Sequence, residues 1–400
     1  MKRRFFNWVV VWVVLTGLSL ALRAAVRHGG GVPGAFGDVL ALVANGMNLV
    51  SIPARSLLRG VGIARHCSPT GLSALSAGIG WLAVCAFLLV VSAARARMVG
   101  DVSGRSVDVS RRRFLINTGC GAAVFGVSAA GAKAAIVDPG AVVLRRYGVR
   151  IRGLPVEFDG LRIVQVSDTH LGPAVSATHI RGAVGLALRR RPDVVVLTGD
   201  YIEAGNLYIE QAAEIFAPLV GRGGARLGVL GVLGNHDFFG DAGLMRSALE
   251  RVGVRMIDHS RLFLDAADGT WKESAPERAL CFAGLGDLDE DRTDVAAAFG
   301  GVARDVPRIL LCHQPDTVEL PEVRRERIDL VFCGHTHGGQ VALPLIGAPV
   351  IPSRYGQKYA GGLVKGPTGP VVVSRGVGMS VLPVRWNVPP EVVEVRLHAG

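Results

Sequence analysis

The chain has 400 residues, half of them hydrophobic and only 19% charged, an apolar balance that excludes a wholly soluble protein. Its net charge of +11 is uneven: residues 1–150 hold 18 Lys/Arg against 4 Asp/Glu, whereas residues 151–400 hold 26 against 29. A nucleic-acid enzyme carries its basic excess on the domain that does the chemistry, so no nucleic-acid partner is expected; here the excess flanks apolar runs, as topology signals and contacts with membrane lipids do.

Residues 5–22 form an uncharged run led by Lys2, Arg3 and Arg4. At about 20 apolar residues per crossing, this run reads as a span or a signal sequence. Residues 39–54 are apolar but interrupted by Asn45, Asn48 and Pro53, and read as re-entrant, interfacial or marginally spanning. Residues 67–94 contain no charge and end at Arg95 and Arg97, making them the strongest predicted span. A fourth run, 114–132, follows Ser110-Arg111-Arg112-Arg113-Phe114-Leu115. Residues 110–115 resemble the twin-arginine export signal, with Ile116 where a lysine is usual; an ordinary basic flank is the alternative, and either keeps the arginines in the cytoplasm. Ala132-Lys133-Ala134 is a candidate cleavage site, unless the run is retained as an anchor, and Cys120 lacks a lipoprotein box because Asn117 stands at its aliphatic position. Residues 1–136 are thus expected to form a membrane region with about three apolar spans, or four.

Residues 137–159 read as a linker and entry to a catalytic domain over 160–400. Short runs rich in Val, Ile and Leu predict buried strands at 161–166, 193–197, 227–233, 308–311 and 328–332, with further strands at 371–373 and 392–397. A helix is predicted over 176–191, with Ile180, Val184 and Leu188 on one face and Pro192 past its end. This order implies an α/β fold with mostly parallel or mixed sheets, whose ligands bind beyond the carboxyl ends of the strands, and a second sheet packed on the first. The loop around 266–278 is the least patterned stretch.

Each of the first five strands runs into a polar word: Asp168-Thr169-His170, Gly199-Asp200, Gly234-Asn235-His236-Asp237, His313 and Gly334-His335-Thr336-His337. Together they bring oxygen and imidazole donors without thiolate to one edge, enough to hold two divalent cations and suited to Mn, Fe, Zn or similar ions. Two such cations, two carboxylates and one hydroxide leave a centre of about +1, which attracts a phosphate ester anion.

The ordered set of words resembles the calcineurin-like metallophosphoesterase superfamily over residues 160–400. Gly338-Gly339-Gln340 and Ser374-Arg375-Gly376-Val377-Gly378 resemble its branch of membrane-bound or twin-arginine-exported bacterial phosphodiesterases. The resemblance implies a sandwich of two mixed β-sheets flanked by helices, here preceded by N-terminal transmembrane helices. It implies Asp168, His170 and His337 as ligands of one metal, Asn235, His313 and His335 as ligands of the other, and Asp200 as the bridge. It further implies His236 as the group that stabilises the transition state or protonates the leaving oxygen, with Asp237 orienting its imidazole. Attack would come from a hydroxide bridging the two metals.

Blander roles are assigned elsewhere. His179, His259 and His398 read as surface or structural, Cys281, Cys312 and Cys333 as small buried hydrophobes, and the glycines after His337 either cradle phosphate or pack a turn. The expected activity is a metal-dependent phosphohydrolase, a phosphodiesterase before a monoesterase, held at a bacterial inner membrane with its catalytic domain on the periplasmic side and acting on envelope or lipid-linked phosphoesters. The alternatives are a pyrophosphatase of a nucleotide-linked lipid A precursor (UDP-diacylglucosamine type) and a non-catalytic membrane scaffold; the second is disfavoured because every expected ligand is present.

Overall fold

The computed structural model describes residues 138–381 and 383–400. The predicted spans, the arginine motif and the candidate cleavage site lie outside the described residues. Among those described, no helix is long and apolar enough to cross a membrane.

The apolar runs form strands close to their predicted limits. The first sheet contains β1 (Val143–Ile151), β2 (Arg162–Val166), β3 (Val194–Thr198), β4 (Gly228–Val232) and β5 (Arg255–Met256). The second contains β6 (Ser260–Asp265), β7 (Trp271–Lys272), β8 (Ala279–Gly284), β9 (Arg308–Leu311), β10 (Leu330–Cys333), β11 (Gly362–Lys365) and β12 (Pro370–Val373). The last strand, β13 (Glu391–Ala399), returns to the first sheet, giving orders β1-β13-β2-β3-β4-β5 and β11-β12-β10-β9-β8-β6-β7. β2 to β5 run parallel, as do β8, β9, β10 and β12, while β13 lies antiparallel to β2. Both sheets are therefore mixed, as expected. The stretch read as linker and entry contributes β1, which pairs in parallel with β13 along its whole length.

Alternation along the strands builds the layers, because successive side chains point to opposite faces. Ile163, Val194, Val196, Leu230 and Val232 meet Leu280, Phe282, Ile309, Leu311 and Phe332 between the sheets. Their neighbours Val164, Val195, Leu197 and Val229 face the helices α1 (Ala177–Arg189), α2 (Ile209–Val220) and α3 (Ala242–Arg251). The Ser176 hydroxyl caps α1 by accepting from the His179 amide, and Asp241 caps α3 by accepting from Leu244. On the outside of the second sheet, Cys281, Cys312 and Cys333 pack with Leu310, Val331 and Phe299 of α4 (Val295–Phe299). The three thiols are free and buried, and burial pushes Cys281 and Cys312 up to about 12.

Cys281→Ser puts a hydroxyl into this dry layer and is expected to cost about 1–3 kcal/mol of stability. Leu363→Ala, on the exposed strand β11, should stay within about 0.5 kcal/mol. Thermal melts of the full chain in detergent check the contrast.

Candidate metal centre

The parallel strands of both sheets end on one side of the sandwich, and each polar word occupies the turn that follows. β2 leads to Asp168 and His170, β3 to Asp200, β4 to Asn235 and His236, β9 to His313, and β10 to His335 and His337. The turns are laced together by their own backbones. Asp168 N donates to Gly199 O and His170 N to Asp200 O, each at 3.0 Å, and Gly334 N donates to His313 O at 2.9 Å. The buried Gln165 amide donates to Thr198 Oγ1 within its own sheet and, across the sheets, to Cys333 O.

The backbone at the donors is unusual. Asp168, His170, Asp200, His335 and His337 all have φ between 45° and 68°, the left-handed region that non-glycine residues seldom enter. Such conformations cost on the order of 1–3 kcal/mol each and persist only where the surroundings fix them. Two glycines allow the turns to close. A side chain at Gly199 would overlap the Gly234 amide, and one at Gly334 would overlap the Asp168 carboxylate.

The expected metal donors form two groups that share Asp200, and a third group joins His170 to Glu203 and His236. Asp168, His170, Asp200 and His337 present ligand atoms within 4.8 Å of one another, and so do Asp200, His313 and His335. Asn235 Oδ1 joins the second group, 3.0 Å from His335 Nδ1. His313 Nδ1 lies 2.7 Å from the Thr198 carbonyl, which can only accept, so Nδ1 carries a proton, and Nε2 faces Asp200 Oδ2 at 3.1 Å. His170 Nε2 and His337 Nε2 face each other at 2.9 Å, and the buried Asp168 Oδ2 has no hydrogen-bond partner among the described residues. Converging imidazole nitrogens and an orphaned buried carboxylate oxygen are what a divalent cation satisfies, so these residues fit a metal.

Burial and mutual charge set the protonation of the group. Burial raises the Asp200 carboxyl, but the His313 and His170 rings outweigh it and hold it well below the usual range. Burial also raises Asp168, partly opposed by His313. Burial and the neighbouring His313 push His335 down to about 3, and burial together with His170 and Arg385 lowers His337, so both offer neutral nitrogens.

His236 stands beside this group, its ring centroid 4.6 Å from that of His170. Its Nδ1 donates to the Glu203 carbonyl at 2.7 Å, leaving Nε2 facing Ser380 Oγ at 3.3 Å. Asp237, expected to orient this imidazole, makes its hydrogen bonds elsewhere. The Asp237 carboxylate accepts from the amides of Asp200, Tyr201 and Gly234 at 2.9–3.0 Å and has no hydrogen bond to His236. Those three donors take up its oxygens; it fixes the β3 and β4 turns against each other, while the imidazole is held by the backbone of Glu203.

Glu203 itself was not singled out by sequence, yet its Oε2 lies 3.0 Å from His170 Nδ1, an ion-pair contact rather than a well-angled hydrogen bond. Arg385 was also missed. It is fully buried and donates to the carbonyls of Arg375, Gly376 and Gly378 behind His337. Neither lies in a recognisable motif; only the three-residue step from Asp200 to Glu203 offers a signal. In the glycine turn, Gly339 N and Gln340 N donate to Thr336 O and His337 O. His259 pairs with Asp291, His179 faces Val377 O, and the half-buried His398 faces Asp159, so none of the three belongs to the donor groups.

Gly334→Ala is expected to displace Asp168 and lower bound metal per chain severalfold. Gly182→Ala, where an added methyl meets nothing within 4 Å, should leave metal content unchanged. Elemental analysis of the two purified full-length variants checks this.

Residues 161–339 match the family model described as calcineurin-like phosphoesterase. The chain is 31% identical to an uncharacterized metallophosphoesterase, YkuE of Bacillus subtilis (strain 168), over 73% of this chain and 98% of that protein. It is 28% identical to the phosphodiesterase YaeI of Escherichia coli (strain K12), over 72% of this chain and 99% of that one. Identity is 25% to the UDP-2,3-diacylglucosamine pyrophosphatase LpxG of Chlamydia muridarum (strain MoPn / Nigg), over 52% and 73% respectively. With these turns, this donor cluster and these relatives, the chain belongs to the calcineurin-like metallophosphoesterase family.

Proposed function

We propose that the chain is a membrane-tethered phosphodiesterase that works with two divalent cations on envelope or lipid-linked phosphoesters. The observation that carries this reading is the sharing of Asp200 between two donor groups, with the His236 imidazole beside them. When bound, the cations supply an activated water and positive charge for the phosphoryl oxygens.

The protein's own residues do the rest. Asp168, His170 and His337 hold one side, Asn235, His313 and His335 the other, and Asp200 faces both. The Glu203 carbonyl keeps the Nδ1 proton of His236 in place, so that Nε2 is the nitrogen that gives or shares a proton at the leaving oxygen. Asp237 contributes by position, holding the amides of Asp200, Tyr201 and Gly234. Preference for a diester is supported by the likeness to YaeI, and the likeness to LpxG supports a second reading, pyrophosphate hydrolysis in a nucleotide-linked lipid precursor.

Exhaustive chelation is expected to abolish hydrolysis of bis-p-nitrophenyl phosphate, and added Mn or Zn to restore it; unchanged turnover in metal-free protein contradicts the mechanism. Asp200→Ala should lose bound metal. His236→Ala should keep it while turnover falls by about 10²–10⁴. Metal stoichiometry beside turnover separates the two roles, and loss of metal in His236→Ala would contradict the assignment.

The tether and its side are read from charge. Lys2 to Arg4 and the arginines at 95, 97, 105 and 111–113 favour the cytoplasm, which two crossings at 5–22 and 67–94 satisfy if 39–54 does not span. Residues 114–132 then carry the chain outward and put residues 140–400 in the periplasm or cell-wall space. Reporter fusions at Gly60, Gly104 and Gly400 should read outside, inside and outside; a cytoplasmic C-terminus would favour the nucleotide-lipid reading.

A further inference from the structure

An apolar tip stands next to the metal donors. Leu343 and Gly347 exchange backbone hydrogen bonds and close a tight turn whose outer residues are Leu345, fully exposed, and Ile346, 69% exposed. Val350 follows at 72%, and Val381, on a second loop, is also 72% exposed. The Gln340 side chain joins the two loops, donating to Ser380 O at 2.8 Å and accepting from Ser380 N at 2.9 Å. Both loops are continuous with the site. A side chain at Gly339, two residues beyond His337, would strike Val350 O, and Ser380 Oγ faces His236 Nε2. Leu345 and Val381 hold left-handed φ of 68° and 63°, and their side chains are exposed among the described residues.

Where the chain enters the described domain identifies the occupant. The Asp138 carboxylate accepts from Asn387 N, and the Asn387 side chain donates to Ala342 O, at the base of the apolar turn. The last predicted membrane segment ends at residue 132, and six residues reach at most about 20 Å. A bilayer that holds the N-terminal segments therefore lies within reach of this turn. Arg354, four residues after Val350, is an exposed cation on the same stretch of chain.

We infer that Leu345, Ile346, Val350 and Val381 insert into the phospholipid bilayer and set the metal site facing the membrane surface. Exposed aliphatic residues rimmed by polar and basic groups mark such a contact, and the insertion presents lipid headgroup phosphoesters to the donor cluster. The inference rests on the proposed tethering.

The test uses the full chain in nanodiscs whose phosphatidylcholine acyl chains are brominated. Ile346→Cys is labelled with bimane; Val156→Cys, 70% exposed beyond the far end of β1, is the control, and the labelled parent chain corrects for native thiols. Fluorescence at residue 346 should fall at least twofold against unbrominated nanodiscs, with no change at 156. Leu345→Asp combined with Val381→Asp should abolish the fall. An unquenched label at 346 overturns the inference, as does protection that depends on protein concentration and reports a second copy. The readout is independent of turnover: quenching in a chain without hydrolysis supports docking and removes the phosphodiesterase reading, whereas hydrolysis without quenching does the reverse.

Discussion

Asp168 and Asp200 are buried just past the ends of two adjacent strands, and the charge they carry has to be answered within the protein. Isolated carboxylates in such a place cost several kcal/mol, and among the described residues neither is paired with Lys or Arg; the groups around them include imidazoles, an asparagine and backbone amides. Each carboxylate spends one oxygen on a main-chain donor, Asp168 on the His335 amide and Asp200 on the His236 amide, and turns the other toward histidine nitrogens or leaves it without a partner. That division explains the arrangement: one oxygen ties a turn from another strand into place and the other is left for a cation.

The same demand explains why so many donors sit on left-handed backbone. A strand that simply continued would carry its next polar residue away from its neighbours; a left-handed residue turns the chain back over the sheet edge and aims the side chain inward. Close approach of the turns through Gly199 and Gly334, the Asp237 carboxylate spanning three amides, and the Gln165 link across the two sheets hold these conformations. The donor geometry is thus a property of paired turns, and the apolar layer between the sheets is what holds the turns in register.

Much of this was legible in the sequence because it is local. Short runs rich in Val, Ile and Leu ending in a polar word located β2, β3, β4, β9 and β10, and the words hold Asp168, His170, Asp200, His313, His335 and His337 but not Glu203. Contacts between distant segments were not legible. The pairing of β1 with β13 joins the two ends of the domain, and this nine-residue strand lies in the stretch read as linker and entry to the catalytic domain. Asp237 was placed correctly beside His236 in sequence, but its partners are set by where the β3 turn lies, which no spacing rule supplies. Arg385 looks like one surface arginine among many until its burial behind His337 is seen.

A domain built in this way puts its chemistry at one end, and the apolar loops and the chain's entry lie at that end too, linked through Asn387 and Gln340. Substrate choice would then depend on what a membrane surface presents as well as on the donor cluster. The central claim remains that Asp200 joins two cations. Anomalous scattering from crystals of the metal-loaded full chain addresses it most directly: the account predicts two peaks about 3.5–4 Å apart, one on each side of the Asp200 carboxylate. A single peak, or a pair with Asp200 bound to only one, would contradict it.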